Sequence, residues 1–347
     1  MKTHSLEITP DILNLIADID DFRASWRMMK NLAPERLASL KHVATIESIG
    51  SSTRIEGSKL SDSEIEGVLS NLDTQSFATR DEQEVAGYAE VMDVVFEHHS
   101  TISLSENYIK QLHSMLLKHS DKDTRHRGSY KTLSNSVEAF DADGKSLGVV
   151  FQTISPFETP MRMQELVYWT RESLADKSLH PLLVIGVFTV VFLQIHPFQD
   201  GNGRLSRVLT TLLLLQAKYA YVPYSSLESV VEKNKEGYYL GLRRTQGTLE
   251  KDRPNWSPWL RFFLTSLQKQ KDHLASKVII NEEWATLPRE SVLIMEYVQE
   301  NGRITMKEAV EIIDGVSHST IKKRFASLVE SGLLSQQGKG RGTWYQL

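Results

Sequence analysis

The chain has 347 residues, of which 40% are apolar and none is cysteine, and its formal net charge at pH 7 is −4. This composition allows a buried core and, by length, about two or three domains. It excludes disulfides and thiolate metal sites, and it argues against a general basic surface for nucleic acid. Because no basic and then apolar signal segment opens the chain, we expect a cytoplasmic protein that makes no use of a membrane.

Apolar residues recur at three- and four-residue spacing along most of the chain, which predicts a mainly helical protein. The predicted helices cover 10–29, 62–72, 80–99, 105–119, 161–174, 182–195, 203–220, 234–246 and 257–278. The helix at 182–195 is apolar nearly all round, which indicates a buried central position.

One region differs from this helical pattern. Residues 128–156 are richer in β-branched and aromatic residues, and the sequence DADG at 141–144 is a turn signal. The pattern predicts a β-hairpin at about 131–154. A lone hairpin is only marginally stable, so we expect it to pack against the helices; a solvated surface decoration is the alternative.

The C-terminal region has its own pattern. The segment 281–288 is predicted to be a linker, and predicted helices at 290–299 and 305–313 precede the sequence VSHSTIKKRFASLVESG and a short tail. This order resembles a winged helix-turn-helix domain at 281–347. Five Lys or Arg against one Glu in 315–347 favour contact with duplex DNA. A module that contacts only proteins remains the alternative.

The sequence HPFQDGNGRLSR at 196–207 follows the apolar helix directly and predicts an anion site on a turn between two helices. Glycines 201 and 203 let main-chain N–H groups approach a ligand at a helix start, where phosphate is favoured. Arg204 and Arg207 are three residues apart and can hold phosphate oxygens together. A capped turn with solvated charges is the alternative.

Two further residues of the loop indicate what accompanies the phosphate. Asp200 is acidic among cationic groups, which is consistent with Mg²⁺ bridging a carboxylate and a phosphate. His196 stands at the helix end, and its side chain is suited to take a proton from a hydroxyl group. The residues alone therefore predict phosphate, a divalent cation and a base.

Residues 196–207 match the pattern HPFx(D/E)GNGRxxR, and the chain thereby resembles the Fic family over about 40–265. The resemblance implies a helical core with a hairpin flap, and transfer of AMP from ATP to a Ser, Thr or Tyr hydroxyl of a protein, including this chain itself. It differs at Lys131, where many members have Arg. The resemblance implies that His196 is the general base, that Asp200 is the Mg²⁺ ligand and that Phe198 is an apolar anchor. It also implies that Gly201, Asn202 and Gly203 form the anion site, with Asn202 at the α-phosphate. Arg204 and Arg207 are implied to bind the β- and γ-phosphates.

Three other features receive roles through the same resemblance. Ser52, Glu56 and Gly57 fit the inhibitory pattern (S/T)xxxE(G/N), on a helix at about 50–60. Glu56 is therefore expected to pair with Arg207, which the γ-phosphate of ATP needs. An ordinary capped surface helix is the alternative. The flap is expected to bind a target strand, with Val137 and Phe140 at its contact edge. Tyr238 and Tyr239 are candidates for the adenine pocket or, alternatively, for the core.

These predictions divide the chain into an N-terminal helical region (1–100), a Fic core (101–280) and the winged-helix region (281–347). The predicted partners are ATP, a protein hydroxyl, duplex DNA and a second copy of the chain. A DNA-binding regulator with a nucleotide-sensing scaffold is the second hypothesis. Removal of AMP, or transfer of phosphate, UMP or phosphocholine, is the third.

Overall fold

Helices make up most of the chain, and the mainly helical fold class is confirmed. The computed structural model describes residues 1–28, 34–72, 77–140, 146–284, 287–313, 316–338 and 343–347. Two compact units result, Met1–Leu274 and Ala275–Leu347. The division of the first unit into an N-terminal region and a core stays a prediction. Within the described part of the chain, none of the helices combines the length and apolar character needed to cross a bilayer.

The first unit is built from helices α1 to α10 and the beginning of α11. Their bounds are α1 Pro10–Met28, α2 Pro34–Ile55, α3 Asp62–Ser70, α4 Arg80–His98, α5 Glu106–Leu116, α6 Thr159–Asp176, α7 Pro181–Ile195, α8 Asn202–Gln216, α9 Leu227–Lys233, α10 Lys235–Gln246 and α11 Ser257–Trp284. Short 3₁₀ turns lie at Thr3–Ser5, Asp121–Asp123 and Val222–Tyr224.

Helix α7 is the centre of the first unit, as its apolar sequence predicts. Nearly all of its side chains are buried, and it packs between α6 and α8. Gly186 allows α11 to approach closely, because a Cβ at this position would lie 2.7 Å from Leu260. The indole of Trp259 donates to the Gly186 carbonyl at 2.7 Å. This packing holds α7 in the core, and the loop at 196–201 begins at its end.

Helix α2 is longer than the sequence indicates. It begins at Pro34 and ends at Ile55, where the prediction was a helix at about 50–60. Its last turns contain small, buried residues of modest helix propensity, and packing against α9 compensates for that propensity. Glu56 consequently lies in the turn after the helix, next to Gly57 with a φ of 108°.

The predicted hairpin forms from β1 (Ser136–Phe140) and β2 (Ser146–Gln152), which pair antiparallel. The register shifts at two places in β1, between Val137 and Glu138 and between Ala139 and Phe140. The turn signal DADG at 141–144 lies outside the described residues.

The second unit contains three further helices and a small sheet. The helices are α12 (Arg289–Asn301), α13 (Met306–Ile312) and α14 (His318–Glu330), and the strands are β3 (Ile304–Thr305), β4 (Ser335–Gln337) and β5 (Trp344–Gln346). The sheet is antiparallel in the order β3-β5-β4. The linker predicted at 281–288 is wrong for residues 281–284, because α11 continues through Trp284.

Candidate active site

His196 is the first residue after α7, and its backbone is left-handed, with φ 51° and ψ 60°. Its N–H still donates to Phe192 O at 2.9 Å, so it completes the helix. Pro197 follows and cannot continue a helix. A non-glycine residue in this conformation costs about 1–2 kcal/mol, which the surrounding contacts must offset.

The half-buried imidazole of His196 favours the neutral form. Burial, assisted by the nearby charge of Lys131, lowers its pKa to about 4. Nδ1 lies 3.3 Å from the carbonyl of Leu193, an acceptor, so the neutral ring carries its proton on Nδ1. Nε2 is then the nitrogen that can accept a proton.

The loop after His196 is held by the side chains of Asn202 and Phe198, and of these only Phe198 has a predicted structural role. Asn202 bridges the loop, because its Oδ1 accepts from Phe198 N at 2.9 Å and its Nδ2 donates to Phe198 O at 2.8 Å. Phe198 is fully buried, in agreement with an apolar anchor, and stacks on His113 with ring centroids 3.7 Å apart. Contact between Asn202 and an α-phosphate stays a prediction.

His113 has a fixed protonation state. Its Nδ1 accepts the N–H of Gly128 at 2.9 Å, so Nε2 carries the proton and donates to the main-chain carbonyl of Asp200 at 3.0 Å. Burial lowers its pKa to about 4. His113 lies on a predicted helix but has no predicted role, since its partners are up to 87 residues away.

The N-terminus of α8 directly follows the loop, at the place where the sequence predicts an anion site. Gly201 is its N-cap, with a left-handed φ of 76°, and Asn202 and Gly203 form its first turn. Unpaired N–H groups and the helix dipole favour negative charge at such an end. The carboxylate of Glu56 lies against Gly203, where a Cβ would collide with Glu56 Oε1. Glu56 therefore lies at the predicted anion site, and phosphate binding there stays a prediction.

Arg207 is buried on the next turn of α8, and three of its hydrogen bonds reach the last turn of α2 and the turn that follows it. Nη2 lies 2.8 Å from Glu56 Oε1 and 2.9 Å from Ser52 O, and Nε donates to Ser52 Oγ at 2.8 Å. Burial acts against its charge, but Glu56, together with the neighbouring Tyr238 and Tyr88, outweighs burial and raises the pKa of Arg207. The structure thus confirms the contact of Glu56 with Arg207 that the family resemblance implies, and it adds Ser52 to this contact.

Asp200 is surrounded by cations, two of which were not predicted to belong to the site. Lys122 donates to Asp200 Oδ2 at 2.8 Å, Arg80 lies 3.6 Å from the same oxygen, and Arg204 lies 3.6 Å from Oδ1. Burial acts against ionisation, but Arg204 and Lys122 outweigh it and lower the pKa of Asp200 to about 2. Arg204 is itself buried, 3.0 Å from Glu84.

The donor set fits one mode of metal binding. Within the described ranges, no group of three or more His, Cys, Asp and Glu side chains could hold a metal ion. Mg²⁺ commonly binds through one or two carboxylates together with substrate phosphates. The ionised carboxylate of Asp200, next to the anion site, fits that mode.

The two tyrosines on α10 differ in their surroundings. Tyr238 is buried beside Trp259, with ring centroids 5.8 Å apart, and burial raises its pKa to about 12. Tyr239 is half-buried and packs edge-on against Tyr238. Tyr238 is part of the core packing, and the adenine-pocket role predicted for both residues stays a prediction.

The predicted flap is attached beside His196. Val137 and Phe140 lie on β1, and their role in binding a target stays a prediction. Ile154, just after β2, donates its N–H to the carbonyl of Gln194 on α7 at 3.3 Å. Lys131, before β1, donates its N–H to the carbonyl of Pro197 at 2.8 Å.

Known proteins support a family assignment for this part of the chain. The Fic/DOC family profile matches residues 103–214. A probable protein adenylyltransferase of Aquifex aeolicus is 29% identical over 99 residues, and the protein adenylyltransferase Fic of Drosophila grimshawi is 27% identical over 150 residues. These matches cover 28% and 42% of this chain, but only 28% and 26% of the relatives, so the chain spans about a quarter of their length.

Solved structures show the same fold. A Fic family protein from Desulfovibrio desulfuricans G20 has a TM-score of 0.61 and 20% identity, with 98% of this chain and 97% of that chain covered. A Fic domain containing signaling protein from Bacteroides thetaiotaomicron VPI-5482 has a TM-score of 0.60 and 24% identity, covering 74% and 94%. The loop, the helices around it and these similarities lead to one conclusion: residues 103–214 of this chain form a Fic/DOC family domain.

Proposed function

We propose that the Fic domain transfers AMP from ATP to the hydroxyl group of a protein side chain, including hydroxyl groups of this chain. The observation that carries the proposal is the convergence of a neutral histidine, an ionised carboxylate and the N-terminus of α8 within one loop. The names of the adenylyltransferase relatives support the choice of AMP as the transferred group.

The triphosphate binds along the start of α8. Main-chain N–H groups at Gly201 to Gly203 hold the α-phosphate by hydrogen bonds and by the helix dipole. Arg204 and Arg207 stabilise the β- and γ-phosphates, with charge-assisted hydrogen bonds that strengthen as charge develops on the leaving group.

Transfer is a substitution at the α-phosphorus. His196 Nε2 accepts the proton of the incoming hydroxyl group, and the hydroxyl oxygen forms a bond to the α-phosphorus. The bond between that phosphorus and the bridging oxygen to the β-phosphate breaks, and pyrophosphate leaves. A base held neutral at physiological pH is suited to this step.

A divalent cation is part of the proposal. Asp200 would hold Mg²⁺ together with phosphate oxygens, and the ion would supply positive charge that balances the triphosphate. Lys122 and Arg80, which contact Asp200, supply charge of the same sign at that place. Asp200 must exchange at least part of its contact with Lys122 for the ion.

We further propose that Glu56 restrains the reaction. Its carboxylate occupies both Arg207 and the surface of Gly203, the groups proposed to bind phosphate. ATP can place its γ-phosphate on Arg207 only when Glu56 has moved away. The restraint therefore acts by competition of a carboxylate with a phosphate for the same donors.

The direct test of transfer is incubation with α-labelled ATP and Mg²⁺, followed by mass spectrometry. We expect wild type to gain the mass of one AMP group, and His196→Ala to lose about 100- to 10,000-fold in labelling rate while keeping its ATP affinity by calorimetry. Equal labelling of wild type and His196→Ala would contradict the assignment of the base. ATP labelled at the γ-phosphate distinguishes phosphate transfer, and UTP and CDP-choline test the other groups.

For the second unit we propose contact with duplex DNA. Two observations favour it: the arrangement of three helices with a three-stranded sheet is that expected of a winged helix, and Lys322 and Lys323 are exposed on α14. Arg324, by contrast, pairs with Glu290 at 3.1 Å. Two other cations counted for this region, Lys339 and Arg341, lie outside the described residues.

The DNA proposal is tested on the full chain. We expect its affinity for a mixed duplex to fall as salt rises, and the double variant Lys322→Glu/Lys323→Glu to weaken binding and to flatten the salt dependence. Lys118→Glu, in the first unit, is the control. Absence of binding to duplex DNA at low salt would favour the protein-contact alternative.

A further inference from the structure

The last turn of α7 is connected to both ends of the hairpin. The carbonyls of its last four residues all have partners: Phe192 O with His196 N (2.9 Å), Leu193 O with His196 Nδ1 (3.3 Å), Gln194 O with Ile154 N (3.3 Å) and Ile195 O with Lys131 Nζ (3.0 Å). His196 itself supplies two of these partners. The other two come from Lys131, which precedes β1, and from Ile154, which follows β2.

Lys131 contacts the main chain on both sides of His196. Its N–H donates to Pro197 O at 2.8 Å, while its side chain, which is 3% exposed, crosses to the end of α7. The ammonium group has three described acceptors, all of them neutral: Asn135 Oδ1 (2.9 Å), Thr153 Oγ1 (2.8 Å) and Ile195 O (3.0 Å). A buried ammonium is costly unless its protons are bonded, and the negative end of a helix favours it.

The acceptors of Lys131 also connect the two strands to the loop. Asn135 precedes β1, and its Nδ2 donates to Phe198 O at 2.9 Å. Thr153 follows β2, and its Oγ1 contacts both Oδ1 and the carbonyl of Asn135 at 2.7 Å. Both ends of the hairpin therefore meet at one ammonium group, which also contacts the main chain next to His196.

We propose that Lys131 is a positioning residue, which holds His196 in its left-handed conformation and fixes the hairpin relative to His196 Nε2. This proposal rests on the proposed function, because the position of Nε2 matters for proton transfer. A hydroxyl group carried by a segment paired to the hairpin would then reach His196 at a set distance. Misplacement of about 1 Å can cost about a hundredfold in rate.

The test compares Lys131→Met with Lys131→Arg in the full chain, using self-labelling from ATP in single-turnover experiments. We expect Lys131→Met to lose about 10- to 100-fold in rate at saturating ATP, with ATP affinity changed by less than about threefold. Lys131→Arg, which retains the charge and several donors, restores most of the rate. Lys118→Met, which removes a lysine paired with Glu90, is the matched control.

A second measurement does not depend on activity. Nitrogen signals of the His196 ring, assigned by their loss in His196→Ala, report which nitrogen carries the proton. We expect wild type to show protonated Nδ1, and Lys131→Met to show a mixture of the two forms. Thr153→Val loosens the same network while keeping the lysine, so it replaces Lys131→Met if that variant unfolds in circular dichroism.

Two results would overturn the proposal. One is that Lys131→Met labels at the wild-type rate and has unchanged His196 ring signals. The same result for Thr153→Val counts if Lys131→Met unfolds. The other is a loss of rate matched by an equal loss of ATP affinity. Failure of the proposed function looks different, because wild type and His196→Ala would then label equally whatever stands at position 131.

Discussion

Replacing Glu56 by glycine should increase AMP transfer, and the structure gives the size of the effect. The Arg207 side chain is 7% exposed and that of Glu56 is 33% exposed, so their 2.8 Å contact is partly removed from water. A charge-assisted hydrogen bond of this kind contributes about 2 kcal/mol. Since about 1.4 kcal/mol corresponds to a factor of ten, Glu56→Gly should raise the labelling rate about 30-fold at ATP concentrations well below saturation, where the competition acts.

The assay measures incorporation of α-labelled AMP by four proteins: wild type, Glu56→Gly, Arg207→Ala and the double variant. Because Arg207 is the shared partner, the double variant should behave like Arg207→Ala and lose the gain. Glu66→Ala, which changes an exposed glutamate on α3, should match wild type. A labelling rate of Glu56→Gly no higher than that of wild type would refute the competition.

The same variants separate restraint from AMP removal. Wild type that has been labelled and then washed free of ATP should keep its AMP if Glu56 acts only by competition. If Glu56 instead positions water for removal, the washed protein loses its label with time, and Glu56→Gly keeps it.

Three further predictions concern the loop. Because the pKa of His196 is lowered to about 4, its neutral form persists as pH falls. The rate of transfer should therefore stay level between about pH 6 and 8 and decline as pH approaches 4. An inflection of the rate near pH 6.5 would contradict this protonation state. His113→Ala removes a buried ring, two hydrogen bonds and the stack on Phe198. It should lower the free energy of unfolding, measured by urea titration, by about 3 kcal/mol, and a change under about 1 kcal/mol would show that the ring does not support the loop. Asp200→Asn should raise the Mg²⁺ concentration required for half-maximal labelling and weaken Mg²⁺–ATP binding in calorimetry, whereas an unchanged requirement would exclude Asp200 as a ligand.

The sequence predicted the parts of the site that lie close together along the chain. The loop at 196–207 carries its histidine, carboxylate, glycines and arginines within one segment, and regular helix geometry is sufficient to place them near one another. The contact between Glu56 and Arg207 spans 151 residues, and the prediction of it came through the resemblance to a family.

Other parts could not be predicted, because their roles arise from packing between distant segments. Lys122 and Arg80 are ordinary surface charges in the sequence, and only the fold places them at Asp200. The full extent of α2 was not predicted either, and residues 48–53 near its end, which contain glycine and several hydroxyl side chains, have modest helix propensity. Burial of these small residues against neighbouring helices outweighs that propensity.

The attachment of Glu56 to the same chain as Arg207 determines what the restraint responds to. Arg54 fixes the end of α2 through contacts of 2.8 Å with both Glu232 and Asp62, so the carboxylate is presented to Arg207 at a high effective concentration. Short flexible tethers give effective concentrations in the millimolar range, and a rigid, aligned one gives more. Under the proposed restraint, dilution of the protein leaves the fraction of free Arg207 unchanged, whereas the ATP concentration changes it. The domain would then report the nucleotide supply of its surroundings through its rate of labelling.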